Sequence, residues 1–292
     1  KFSLVLSILT LCGNLTPGKY KIRGDVSSQF ITGLMFALPL LGGDSRIVIT
    51  TPLESKGYID LTISALKDCS ITIENKNYKE FFIKGGQRYR PTDYYVEGDF
   101  SQSAFWLGAG ALGADIICEN INNKTFQGDK AILEIISNMG GSLEYGENSI
   151  AGKGPLIVYD EITIDVSQCP DLAPVIAVLG SLRKGRTKIV NAKRLRLKES
   201  DRLKALSEGL GKIGAKIEEL PDSLVIEGQE TLEGGIVDSN GDHRIVMALA
   251  IASMRCKNPV IIKNSDAVNK SYPGFWNDFV KLGGEIFEFD YR

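Results

Sequence analysis

Lys198, Glu199 and Arg202 stand together in the run Leu195-Arg196-Leu197-Lys198-Glu199-Ser200-Asp201-Arg202. Directly after it, Leu203, Leu206, Leu210 and Ile213 recur at a spacing that predicts a helix running toward Gly214. The charges therefore fall at the N-terminal end of that helix, where backbone N–H groups are unpaired and the dipole is positive. A lysine, an arginine and a titratable carboxylate placed there make an anion site with an acid–base group inside it. The same residues also read as a solvated first turn, with Glu199 and Arg202 as an i,i+3 ion pair worth about 0.2–0.5 kcal/mol. Spacing alone leaves both readings open.

The same choice recurs at other helix starts. Asp171 follows Pro170 and heads the apolar run Leu172 to Leu179. It reads either as an N-cap or as a base whose pKa burial adjusts. Asp242-His243-Arg244 heads a second apolar run and holds the only histidine of the chain. That histidine is either a satisfied structural group or, with Arg244, part of an anion site. Lys270 precedes the last helix and reads as a solvated lysine or as a further cation. Ser27-Ser28-Gln29 offers two hydroxyls and an amide at a helix start, more than a simple cap requires. Ser55 and Tyr58 flank the next helix start, either as additional polar contacts or as a serine turn and an exposed tyrosine.

These residues are positioned by a repeat. Openings at Gly24-Asp25, Gly98-Asp99, Asp165-Val166 and Gly241-Asp242 lie roughly 70 residues apart. Each leads into an apolar helix: Phe30 to Leu41, Ala104 to Leu112, Leu172 to Leu182 and Ile245 to Met254. A β-branched strand follows at Ile47–Ile49, Ile116–Cys118, Thr187–Val190 and Val260–Ile262. A second helix starts near Tyr58, Gly128, Ser200 and Pro273. An outer strand then closes each unit at Ile71–Ile73, Ser142–Glu144, Lys216–Glu218 and Glu285–Phe287. Four such units predict an α/β fold of repeats. The dinucleotide and P-loop fingerprints are missing after every strand.

Composition narrows the function. A net charge of -2 argues against a nucleic-acid partner, and one histidine argues against a histidine-rich metal site. The basic run Arg183, Lys184, Arg186, Lys188, Lys193, Arg194, Arg196 and Lys198 suits a local funnel for a small, highly charged substrate. Five scattered cysteines (Cys12, Cys69, Cys118, Cys169, Cys256) without a C-x-x-C pair suit reduced thiols and a cytoplasmic location. Phe2 to Cys12 is an apolar run too short to span a membrane, and no membrane partner is expected. It reads as a signal-peptide remnant or as a strand. The chain has no initiator Met and is expected to be truncated at its N-terminus.

The motifs GDVSSQF, SKGYID, VEGDFSQSAFW, PDLAP, RLKESDR, GDHR and NKSYPGFW, in this order from about Leu15 to the end, closely resemble the EPSP synthases (3-phosphoshikimate 1-carboxyvinyltransferases). The resemblance implies the enolpyruvyl transferase fold, an inside-out α/β barrel of β-α-β-α-β-β units, with four of six units present. It places residues 1–97 in a domain whose remainder is missing, and residues 98–292 in a nearly complete second domain. The implied reaction transfers the enolpyruvyl group of phosphoenolpyruvate to the 5-hydroxyl of shikimate 3-phosphate and releases phosphate. No cofactor is implied, and a monomer is expected.

The resemblance also distributes roles. Ser27, Ser28, Gln29, Ser55 and Tyr58 are implied contacts of shikimate 3-phosphate. Asp171 and Lys198 would hold its ring hydroxyls near the reacting 5-hydroxyl. Glu199 would give a proton to phosphoenolpyruvate, whose carboxylate and phosphate Arg202, Arg244 and Lys270 would clamp, with His243 beside them. Arg194 stands where other members can carry Asn. The family's N-terminal lysine, serine and arginine, a glycine-rich segment and one further arginine have no counterpart here, so the chain alone is expected to be inactive. Two alternatives remain: an enolpyruvyl transferase for a sugar nucleotide, and a non-catalytic fragment that keeps the fold.

Overall fold

The computed structural model describes residues 13–157 and 160–288. The apolar run Phe2 to Cys12 lies outside them. Two compact units are present. Of the described residues, 13–53 together with Thr62–Asp93 form the first, and Glu54–Leu61 together with 94–157 and 160–288 form the second.

The first unit contains most of one repeat. Strand β1 (Lys19–Ile22) leads through helix α1 (Ser28–Ala37) to β2 (Ser45–Ile49), which pairs parallel to β1. Helix α2 (Lys56–Asp68) follows, of which the residues from Thr62 onward belong to this unit, and then the hairpin β3 (Ile73–Lys76) and β4 (Glu80–Ile83). The sheet runs β1-β2-β4-β3, with β4 antiparallel to both neighbours. Ile31, Met35, Ile47, Leu66, Phe81 and Ile83 form its buried interior. Their spacing follows from helical period on α1 and strand alternation on β2 and β4.

The second unit repeats that order. Helix α3 (Phe100–Ala111) is followed by β5 (Cys118–Glu119), α4 (Ile132–Asn138) and the hairpin β6 (Ser142–Tyr145) and β7 (Ser149–Lys153). The next repeat is complete: β8 (Ile162–Asp165), α5 (Ala173–Leu182), β9 (Arg186–Val190), α6 (Arg202–Lys212), β10 (Lys216–Leu220) and β11 (Ser223–Glu227). Its sheet, β8-β9-β11-β10, has the order and pairing sense found in the first unit. The last repeat has β12 (Gly235–Asp238) parallel to β13 (Val260–Lys263), with helices α7 (His243–Ser253) and α8 (Phe275–Lys281).

Helices α3, α5 and α7 pack on one another at the centre of this unit, inside the sheets. Every residue of α5 is buried, as are His243 to Ala252 of α7. A helix that is apolar all round is stable only when covered on every side, and these sequences meet that condition. Gly110 of α3 faces Gly152 of β7 so closely that a methyl group on either would overlap backbone.

Three strands depart from the sequence reading. Glu285–Phe287 forms no strand, and Phe287 is 80% exposed. No described residue supplies the neighbouring ladder that a strand there needs. The strand expected at Ile116–Cys118 is reduced to Cys118–Glu119, because β7 pairs only with that pair of residues. The strand expected at Ile71–Ile73 begins instead at Ile73, where its register with β4 starts. Among the described residues no helix is long and apolar enough to cross a membrane.

Candidate active site

In the second unit, the N-terminal ends of α3, α5, α6 and α7 bring their polar residues together. The local cause is capping. Asp99 accepts from Ser101 N at 2.8 Å, Asp201 from Lys204 N at 3.2 Å and Asp242 from Arg244 N at 2.9 Å. Each cap satisfies an orphan N–H and fixes where its helix starts.

Asp171 is not a cap. It sits in the 3-10 turn Pro170–Leu172 ahead of α5, and its carboxylate is shared by three cations. Arg202 Nη1 reaches it at 2.8 Å, Lys198 Nζ at 3.3 Å and Arg244 Nη2 at 3.3 Å. Burial alone would raise this carboxyl, but Arg244, Lys198 and Arg202 overcome it and hold the group well below the usual range.

Arg202 joins the site's carboxylates. Its side chain is 1% exposed, and it donates to Asp171, to Glu199 at 2.8 Å and to Asp242 at 2.8 Å. Glu199 thus has the expected i,i+3 partner, and its other oxygen receives Lys270. Partial burial opposes ionisation of Glu199, yet the Lys270 hydrogen bond, a backbone N–H and Arg202 bring it down to about 2. His243 is buried with its Nδ1 3.8 Å from Asp242 Oδ1 and no hydrogen-bond partner among the described residues. Burial and then Arg244 lower its pKa, so the imidazole is neutral. Lys198, Arg202, Arg244 and Lys270 face Asp171, Glu199 and Asp242, which leaves one positive charge in excess. Such a cluster suits an anion that competes with the internal carboxylates.

Ser55 and Tyr58 belong to the same unit. Ser55 has φ of 55°, a left-handed conformation uncommon for a residue with a Cβ, and its hydroxyl receives Arg194. Arg194 also lies 3.0 Å from Glu54. Tyr58 donates to Asp129 Oδ2 at 3.0 Å, and Ser101 Oγ lies 3.3 Å away. Ser27, Ser28 and Gln29 are in the first unit, where Ser27 Oγ caps α1 by accepting from Gln29 N at 3.2 Å.

The basic run does not form one open patch. Arg183 is fully buried on backbone oxygens, Arg186 and Lys188 pair with Glu161, and Arg196 pairs with Asp201 and Glu219. The helix-period reading does not single out Glu54 or Asp129. The only signal for Asp129 is the dipeptide Gly128-Asp129 at a helix start, matching Gly98-Asp99 and Gly241-Asp242. Among the described residues, no group of three or more His, Cys, Asp or Glu side chains is arranged to hold a metal ion.

Repeated α/β units that turn their first helices inward and gather the helix ends on one charged cluster define an enolpyruvyl transferase fold. An EPSP synthase structure from Acinetobacter baumannii superposes with a TM-score of 0.76 at 25% identity, covering 92% of this chain and 63% of that one. The family model for EPSP synthase (3-phosphoshikimate 1-carboxyvinyltransferase) matches residues 7–279, and the chain belongs to that family. The 3-phosphoshikimate 1-carboxyvinyltransferase of Clostridium novyi (strain NT) is 56% identical over 280 residues, and that of Clostridioides difficile (strain 630) 52% over 283. These matches cover 96% and 97% of this chain, which spans 64% of the length of each relative.

Proposed function

We propose that this chain carries one part of an active site that transfers the enolpyruvyl group of phosphoenolpyruvate to the 5-hydroxyl of shikimate 3-phosphate. The observation that carries the reading is the Asp171 carboxylate held by Lys198, Arg202 and Arg244, with Glu199 between Arg202 and Lys270. Family membership and the names of the relatives support it.

In this reading Arg202, Arg244 and Lys270 bind the carboxylate and phosphate of phosphoenolpyruvate, with neutral His243 beside them. Forked guanidinium groups suit both anions. Asp171 and Lys198 orient the ring hydroxyls of shikimate 3-phosphate, and Ser55 and Tyr58 add polar contacts. Ser27, Ser28 and Gln29 of the first unit are assigned to the same substrate on resemblance alone.

Glu199 protonates the methylene carbon of phosphoenolpyruvate, and the 5-oxygen bonds to the resulting cationic C2. The hydroxyl proton passes to Asp171 or Glu199. Return of a proton from the methyl group to a carboxylate re-forms the double bond as phosphate leaves. Without a ligand, Glu199 is ionised by its cationic partners. Its role as an acid therefore requires the substrate's anionic groups to take over Lys270 and Arg202, which raises its proton affinity.

We place the domain boundary at residue 97, and we read the protein as a cytoplasmic monomer. The test is phosphate release by the full-length protein from phosphoenolpyruvate with shikimate 3-phosphate. Release only when a UDP-sugar replaces shikimate 3-phosphate would transfer the reading to the sugar-nucleotide enzymes.

A further inference from the structure

Asp129 is the first acidic residue of the 3-10 turn Gly128–Ala131 that leads into α4, and its side chain is 0% exposed. Its Oδ2 accepts two hydroxyls, Ser101 Oγ at 2.5 Å and Tyr58 OH at 3.0 Å. Its Oδ1 meets no hydrogen-bond partner among the described residues. Leaving a buried carboxylate oxygen unpaired is costly, so a position with only a packing role is filled more cheaply by an apolar side chain.

Backbone packs closely against the glycines beside Tyr58 and Asp129. A Cβ on Gly57 would lie 2.6 Å from Phe126 O, and one on Gly128 would lie 2.8 Å from Gln168 O. Gln168 Oε1 accepts from Lys56 N at 3.0 Å, which ties the start of α2 to the turn before α5. Ser101 extends the connection through its carbonyl oxygen, which accepts from Arg244 Nη1 at 3.4 Å. Arg244 in turn reaches Asp171. Asp129 therefore holds the Tyr58 phenol directly and Arg244 through Ser101.

We propose that Asp129 is a positioning residue for the enolpyruvyl transfer, fixing Tyr58 toward shikimate 3-phosphate and steadying Arg244 through Ser101. The proposal rests on the site reading of the preceding subsection. Its physical basis is that a misplacement of about 1 Å in a positioning group costs on the order of 10²-fold in rate. Asn in place of Asp129 keeps an oxygen that accepts both hydroxyls but lacks the charge, whereas Ala removes the acceptor.

The experiment measures kcat and KM for both substrates in the full-length protein carrying Asp129→Ala or Asp129→Asn, each with and without Tyr58→Phe. Asp129→Ala is expected to lower kcat/KM for shikimate 3-phosphate about 100-fold, and Asp129→Asn by about 3- to 10-fold. Most of each loss is expected to vanish in the Tyr58→Phe background, because coupled residues are not additive. A packing defect would instead lower activity equally in both backgrounds. Where Asp129→Ala does not fold, Asp129→Asn decides alone. Unchanged kcat/KM in Asp129→Asn, or losses of equal size with and without the Tyr58 hydroxyl, would overturn the proposal. Failure of the unsubstituted protein to release phosphate overturns the site reading beneath it.

Discussion

Arg202 Nε donates to Asp242 Oδ2 at 2.8 Å, with the arginine side chain 1% and the aspartate 0% exposed. Asp242 also caps α7 through the Arg244 N–H, so one carboxylate both starts a central helix and neutralises the guanidinium that serves Asp171 and Glu199. Breaking such a pair leaves a buried charge uncompensated, at about 3–5 kcal/mol. Asp242→Ala is expected to destabilise the protein by that amount, plus about 1 kcal/mol for the lost cap. Replacing Asp242 with Leu and Arg202 with Met together is expected to cost less than the sum of the two single changes. Urea unfolding of the two singles and the double measures this; full additivity would mean the pair is not coupled.

Glu199→Gln keeps the shape of the side chain and loses the proton. For the full-length protein, kcat is expected to fall on the order of 10²–10⁴-fold while KM for either substrate changes little. Steady-state kinetics separate the two. A near-normal kcat would remove Glu199 from proton transfer and leave it as a spacer between Arg202 and Lys270.

Acid stability follows from the same carboxylate. The folded-state pKa of Glu199 is about 2 against an ordinary 4.5, so on acidification the unfolded chain takes up this proton first. The stabilisation is present above about 4.5 and is lost as pH falls toward 2. Asp171, also held below its ordinary value, acts in the same direction. Melting temperature should therefore drop through this window, and Glu199→Gln should flatten part of the drop. Identical pH profiles for the two proteins would show that the ion pairs with Lys270 and Arg202 add nothing to stability.

The chain by itself is expected to release little phosphate from phosphoenolpyruvate and shikimate 3-phosphate. It spans 64% of the Clostridium novyi relative, and loss of even one charge-stabilising group commonly costs about 2.7–4 kcal/mol in the transition state. The measurement compares the chain alone with the chain supplied with the segment that this relative has beyond the match. Turnover by the chain alone at the rate of the supplemented mixture would show that the site is complete without that segment.

Much of the local structure was legible from residue order. The apolar period after Arg202, the Asp–His–Arg start of α7 and the glycine–aspartate openings all rest on interactions within a few residues, and helices α3, α6 and α7 form where those signals fall. Some strands were less legible, because a strand exists only through its neighbour. Glu285–Phe287 has strand composition and no ladder, and Ile116–Cys118 keeps only the residues that β7 reaches. The sequence by itself determined which residues stand at helix ends and which charges they carry. Only the tertiary structure decided that Asp171 is a hub and not a cap, since Lys198, Arg202 and Arg244 reach it from separate elements. The same holds for Ser101 meeting Asp129 and for Arg194 meeting Ser55 across 139 residues of chain. Those meetings depend on how the buried helices pack, and packing is set by the shape of whole side-chain layers, which no local spacing records.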